Sequence, residues 1–176
     1  MATAYSNTNS YDDFTSESSI FDLSIPALLK LPVNTSLDLF QILDICRCYG
    51  DALIENDFEE QRMALCGRLF AGLEVLKVVL TYPLPDYLIE QLTVDEVQSG
   101  GYISPLTNDS ETLCGYCSAL ALVLLSQRQP LEQAEQITEL LFDMLYVLTE
   151  DLKAPRFIRT SEGLAMIEGE TLLPVH

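Results

Sequence analysis

The stretch DSETLCGYCSALALVLLSQRQPLEQAEQITELLFDMLYVLTEDLK, residues 109–153, decides the fold. Its first part is apolar nearly all round (Leu113, Ala119, Leu120, Ala121, Leu122, Val123, Leu124, Leu125), which predicts a helix buried on most sides. Asn108, Asp109 or Ser110 offers the N-cap, and the helix should reach about Gln129. Pro130 suits the first position of a second helix, Leu131 to about Lys153. There Leu131, Ala134, Ile137, Leu141, Met144, Leu145 and Leu148 recur at three- and four-residue spacing, an inward face. Glu132, Glu135, Glu139 and Asp143 form an acidic stripe on the other side.

Upstream, the same period continues. Asn34, Thr35 and Ser36 offer caps for a helix with Asp38 in its first turn and Leu39, Ile42, Leu43, Cys46, Tyr49 and Leu53 along one face. Asn56 and Asp57 start another, with the stripe Leu65, Leu69, Leu73, Leu76, Leu80 and a stop before Pro83. Asp86 opens a shorter helix to Leu92, and Thr93-Val94-Asp95-Glu96 is a capping-box pattern for one more turn. Residues 99–109 read as a loop.

The expectation is an all-α, single-domain helical bundle of about five helices over residues 25–153. Residues 1–24, rich in Ser, Thr, Asn and Asp, read as a flexible N-terminal leader, with a partner-folding segment or a secretion leader as the functional alternative. Ser24 to Pro32, apolar between two prolines, should pack as one short turn. Residues 154–176 read as a short C-terminal extended arm or hairpin, with turns at Ser161-Glu162-Gly163 and Glu168-Gly169-Glu170.

Charge narrows the function classes. Twenty-seven acidic residues oppose 9 basic ones, a formal charge of −18. Between Lys77 and Arg128 there is no Lys, Arg or His, but Asp86, Glu90, Asp95, Glu96, Asp109 and Glu111 fall there. Nearly half the chain is apolar, so it should fold, with carboxylates as a solvated skin. Such a surface disfavours direct binding to nucleic acid or to an anionic membrane. The uncharged run Thr112–Gln127 is 16 residues, short of the ~20 that span a bilayer. The first residues lack the basic and apolar regions of a signal peptide, and five cysteines suit reducing conditions, so a cytoplasmic location is expected.

Candidate chemistry is sparse. The single histidine is His176, which removes Ser-His and Cys-His catalysis and His-rich metal sites. Gly-x-Ser-x-Gly, phosphate-cradling and dinucleotide fingerprints are missing. Neighbouring carboxylates such as Glu59-Glu60 and Glu150-Asp151 splay on a helix surface and read as solvated charge. Cys114-Gly115-Tyr116-Cys117 places two thiols three apart near a helix N-terminus, where a thiol pKa can fall. The tetrad resembles the Cys-x-x-Cys of thioredoxin- and glutaredoxin-like proteins, and that of the all-helical peroxidase-reductase family related to carboxymuconolactone decarboxylases. That resemblance implies thiol–disulfide chemistry at Cys114 and Cys117. The chain departs from the first by having no apolar strand before Cys114, and from the second by Ala121 where a histidine is expected. The competing reading makes both cysteines small hydrophobes in a core. Cys46 and Cys48 sit two apart, about 200° around a helix, and do not converge with the pair as a zinc site. No metal site and no cofactor is expected.

The sequence therefore predicts a non-catalytic acidic interaction protein — an inhibitor, adaptor or chaperone — that binds a basic surface on a protein partner. A nucleic-acid mimic aimed at a DNA- or RNA-binding protein is one version of this reading. The expected partner-binding residues are Asp86, Glu90, Asp95, Glu96, Glu132, Glu135, Glu139 and Asp143. The alternatives are a thiol–disulfide oxidoreductase using Cys114 and Cys117, a helical-repeat unit, and a homodimer formed through the apolar helix.

Overall fold

The structure, a computed structural model, describes residues 20–95, 109–161, 163–168 and 171–174. They are mostly helical: α1 (Ile25–Leu28), α2 (Leu39–Ile54), α3 (Glu59–Val79), α4 (Asp86–Gln91), α5 (Ser110–Leu125) and α6 (Leu131–Lys153). A small sheet of β1 (Thr93–Val94), β2 (Phe157–Thr160), β3 (Gly163–Glu168) and β4 (Thr171–Pro174) runs in that order, with β1 parallel to β2 and the rest antiparallel. Residues 1–19, the bulk of the expected leader, lie outside the described set. Residues 20–24 do not continue it: Ile20–Asp22 form a 3-10 turn, with Phe21 beneath the Arg47 guanidinium at 5.4 Å. Between the prolines, α1 is the single turn that the sequence suggests.

The four long helices close a ring in which α2 packs on α3, α3 on α5, α5 on α6 and α6 back on α2. Every neighbouring pair is antiparallel, as cross-contacts show: Cys46 with Gly72, Cys114 with Leu73 and Cys66 with Ala121, Ser110 with Asp151, and Asp44 with Lys153. Such an up-down ring buries one stripe per helix. Ile42, Leu43, Cys46, Tyr49, Leu65, Leu69, Leu73, Leu76, Leu113, Cys117, Leu141, Leu145 and Leu148 fill the centre.

Two close approaches set how tightly the ring shuts. A Cβ added at Gly72 would stand 2.7 Å from Cys46 Sγ, and one at Gly50 would stand 2.9 Å from Leu145 Cδ1. With glycine at both positions, α2 lies this near α3 and α6 without either side chain having to shift. A second device clips α1 to the bundle. The buried Tyr49 hydroxyl donates to the Leu28 carbonyl (3.1 Å) and accepts from Arg68 Nε (3.2 Å), while Arg68 Nη2 donates to the Leu31 carbonyl.

Several boundaries differ from expectation, each for a local reason. The α2 cap is Asp38, not Asn34–Ser36. Gln41 N–H donates to its Oδ1 (2.8 Å), and Asp38 N–H donates back to Gln41 Oε1 (3.0 Å). Asn34 is spent on Ser36 instead, its Oδ1 accepting from that N–H at 2.9 Å. Helix α3 begins at Glu59, with Asn56 Oδ1 taking the Phe58 N–H at 2.8 Å. Leu80 is only half-buried beyond its end, where Val79 fills the core. Thr93-Val94 is a strand, not a helical turn, because Leu92 O accepts from Arg156 and Phe157 N–H (2.9 and 3.1 Å) and seeds the ladder. Helix α5 stops at Leu125, with Gln127 left-handed at φ 50°. Leu131 is 74% exposed at the head of α6, edging an open cleft of about 410 Å³. The expected loop at 99–109 falls outside the described residues except for Asp109, the α5 N-cap.

Gly72→Ala should lose about 1–3 kcal/mol by overpacking, read as a lower urea midpoint. Coupling it to Cys46→Ala, which empties the contact, should recover part of that loss in a double-mutant cycle. Additive losses would show that the seam does not set the spacing.

Candidate functional site

The expected partner-binding carboxylates separate into two groups. Glu132, Glu135, Glu139 and Asp143 are all exposed along the outer face of α6. At 1.5 Å per residue they cover about 17 Å of its axis, in steps of about 4.5, 6 and 6 Å. Among the described residues none of the four pairs with a cation. Glu132, in the first turn, is favoured by the helix dipole, but the rest repel one another by a few tenths of a kcal/mol per pair.

The second group belongs to α4 and β1 at the sheet end. Asp86 and Glu90 lie on α4 and Asp95 follows β1, all three exposed. Arg159 on β2 reaches across to donate to Glu90 Oε1 at 2.7 Å and to Asp95 Oδ1 at 3.2 Å. Glu90's charge and hydrogen bond, then Asp95's bond, raise the guanidinium pKa further. These two carboxylates are thus answered within the fold. Glu96 lies outside the described residues. Glu132 is about 32 Å along α6 from Lys153, where the chain turns toward β2. The two groups do not share one continuous acidic line. The sequence missed the Arg159 clamp, since no local spacing joins residues 69 and 64 apart.

The thiols sit in a different setting. All five cysteines are free and buried. Cys114 S–H points to the Leu73 carbonyl (3.5 Å) and Cys66 S–H to the Ala121 carbonyl (3.4 Å). Burial pushes the Cys114 thiol up to about 12, and burial with the neighbouring Cys114 does the same to Cys117. A redox cysteine needs the opposite shift and an open approach. Cys114 is the fifth residue of α5, past its first turn, and its thiol faces α3. Cys46 is also pushed up, by burial and then by Cys114 and Cys117, so three thiols share one dry region between α2, α3 and α5. Among the described residues no group of three or more His, Cys, Asp or Glu is placed to hold a metal ion.

The largest departure concerns α5. Its buried stripe is Leu113, Cys114, Cys117, Ser118, Ala121 and Leu124, only one side of the helix. The other side looks outward: Tyr116 is 48% exposed, Leu122 56% and Val123 41%, with Ala119 and Ser126 also exposed. The expectation of burial on most sides fails because a ring helix has two neighbours, not three. On α6, Leu140 (49% exposed) falls by the helical period on the same side as Asp151, which meets Ser110 of α5. The acidic stripe lies on the side toward α2, where Lys153 meets Asp44 at 2.5 Å. Among the described residues no helix is long and apolar enough to cross a membrane.

Native thiols should resist a neutral disulfide reagent, with all five reacting after denaturation. The raised pKa values fix the sign of an alkaline effect. Stability from protonated Cys48, Cys66, Cys114 and Cys117 is complete below about pH 8.5, where an unfolded thiol ionises. It is lost progressively as pH rises toward their folded values, about 11 for Cys66 and about 12 for the others. Thermal midpoints should fall steeply over that window in wild type and less in Cys114→Ala. Fast labelling of Cys114 and Cys117 in the native state would restore the redox reading. Against known proteins, no family model, no curated protein and no solved structure matches this chain.

Proposed function

We propose that the protein is a non-catalytic interaction protein, of the inhibitor, adaptor or chaperone kind, whose α6 stripe receives a basic segment of a protein partner. One observation carries this reading: four exposed carboxylates, none of them paired with a cation among the described residues, line one face of a helix, while Asp44, Glu90 and Asp95 are answered by Lys153 and Arg159. Repulsion along the stripe is relieved when cations come to it, so part of the binding free energy is stored in the free protein. Lys or Arg at helical spacing on a partner would match steps of about 4.5–6 Å.

Spacing favours a basic protein segment over mimicry of a duplex. Double-stranded DNA presents one charge per ~1.7 Å, about three times the density of the stripe. A mimic would need a second line of carboxylates alongside, but Glu90 and Asp95 of the α4 group are answered by Arg159 and the group is displaced along the bundle. The thiol alternative is supported only by spacing, since burial of both sulfurs favours packing.

The test compares affinity capture from host lysate by wild type and by a variant carrying Glu132→Gln, Glu135→Gln, Glu139→Gln and Asp143→Asn. A protein held by wild type should be lost from the variant. Its affinity should drop tenfold or more between about 50 and 300 mM salt, as exposed charge contacts are screened. A control with the same charge change at Glu59, Glu60, Asp86 and Glu90 should retain it. Capture by the stripe variant that equals wild type would sink the proposal.

A further inference from the structure

Among the described residues, the outward face of α5 is the one long helical surface that carries no charge. Thr112, Gly115, Tyr116, Ala119, Leu122, Val123 and Ser126 make it up, ordered by the 100° turn per residue. From Thr112 to Ser126 it spans about 21 Å. In a chain of charge −18, most surfaces would meet a second copy carboxylate to carboxylate. This face would not.

Its residues also complement themselves. Placing a two-fold axis at Ala119, with α5 antiparallel to α5 of a second copy, sets Ala119 on Ala119. The same operation sets Gly115 against Val123, Tyr116 against Leu122 and Thr112 against Ser126. Small meets large, aromatic meets aliphatic, and hydroxyl meets hydroxyl, the self-complementarity an isologous contact requires. A Cβ built at Gly115 touches nothing within 4 Å, so there is open space above it to receive a side chain. Charge agrees on the direction. Glu111 lies eight residues before Ala119 and Arg128 nine after, both exposed, the first charges met at either end. Antiparallel apposition brings unlike charges to each end, whereas a parallel one sets like on like. Leu140 of α6 lies beside the patch and would extend it, since the same axis places α6 over α6.

From this we infer that the chain forms a two-fold homodimer through antiparallel pairing of its α5 helices about Ala119. One helix face and its flank lie at the small end of specific interfaces, so the dimer should be reversible with a dissociation constant in the micromolar range. It leaves the acidic stripe, on the far side of α6, open in both copies.

Sedimentation equilibrium on the full chain, over about 1–200 µM, should show the mass rise from 19.7 kDa toward twice that value. Salt should tighten the dimer, since it screens repulsion between two acidic copies while leaving an apolar contact intact. Ala119→Glu, an exposed site whose folding is checked by circular dichroism, should hold the chain at monomer mass at concentrations that dimerise wild type. Glu111→Arg should weaken pairing, and adding Arg128→Glu should restore it. A mass of 19.7 kDa throughout, a dimer indifferent to Ala119→Glu, or no restoration by the charge swap overturns the inference. The stripe variant described above should dimerise like wild type, so failure at one surface is distinguishable from failure at the other.

Discussion

The structure turns on how near α2 can come to its two neighbours. Gly72 on α3 receives Cys46, and Gly50 on α2 receives Leu145 from α6, so both sides of α2 meet a partner where a side chain has been omitted. Closing those gaps brings the stripes of all four helices within contact and lets Ile42, Leu43, Cys46 and Tyr49 be fully covered. Each such apolar side chain contributes about 1.5–3 kcal/mol when buried. Small thiols fill the same core: Cys46 packs against Gly72, and Cys66, Cys114 and Cys117 are buried with it. Read this way, the Cys-x-x-Cys spacing is a consequence of helical period, with both sulfurs on the buried side of α5.

The scarce cations are used mostly as fasteners. Arg68 holds α1 through Tyr49 and the Leu31 carbonyl, Arg47 covers Phe21, Lys153 joins α6 to Asp44, and Arg159 ties the sheet to Glu90 and Asp95. Arg62 bonds to Thr138 across the bundle at 3.2 Å, and Lys77 pairs with Glu74, which also accepts from Ser118 on α5 at 2.5 Å. An exposed pair is worth little alone, about 0–1 kcal/mol. What matters is location: Arg47, Arg62, Arg68, Lys153 and Arg159 stand at junctions between elements, and among the described residues none pairs with the outer stripe of α6. The uneven charge of the surface therefore follows from where the few positive residues were needed.

Helices with one apolar stripe were legible in the sequence because their period is local. That is how Leu39–Leu53, Leu65–Leu76 and Leu141–Leu148 could be placed. Caps were less legible, since Asn34, Ser36 and Asp38 all carry suitable oxygens, and only the Gln41 side chain returning to Asp38 N–H selects between them. The sheet was out of reach at β1, where Thr93-Val94 becomes a strand only because Phe157 and Ile158, over sixty residues on, lie beside it. The site was half legible. Periodicity marked the α6 stripe correctly as outward, but composition alone counted Glu90 and Asp95 as free and Leu122 and Val123 as buried. Both errors concern neighbours, which a stretch of sequence does not name.

The bare face of α5 can be weighed against a simpler account. A carboxylate there would sit at least roughly 10 Å, the spacing of packed helices, from the α6 stripe. Repulsion at that distance in water is at most about 0.4 kcal/mol per pair before screening, so avoiding charge on α5 is worth something. Yet glutamine, asparagine or serine would avoid it equally well and keep apolar surface out of water. Repulsion thus accounts for the missing charges but not for Tyr116, Leu122 and Val123, each about half exposed on adjoining turns. A covering apolar surface accounts for both, and a second copy supplies one whose small and large residues fall in the complementary order.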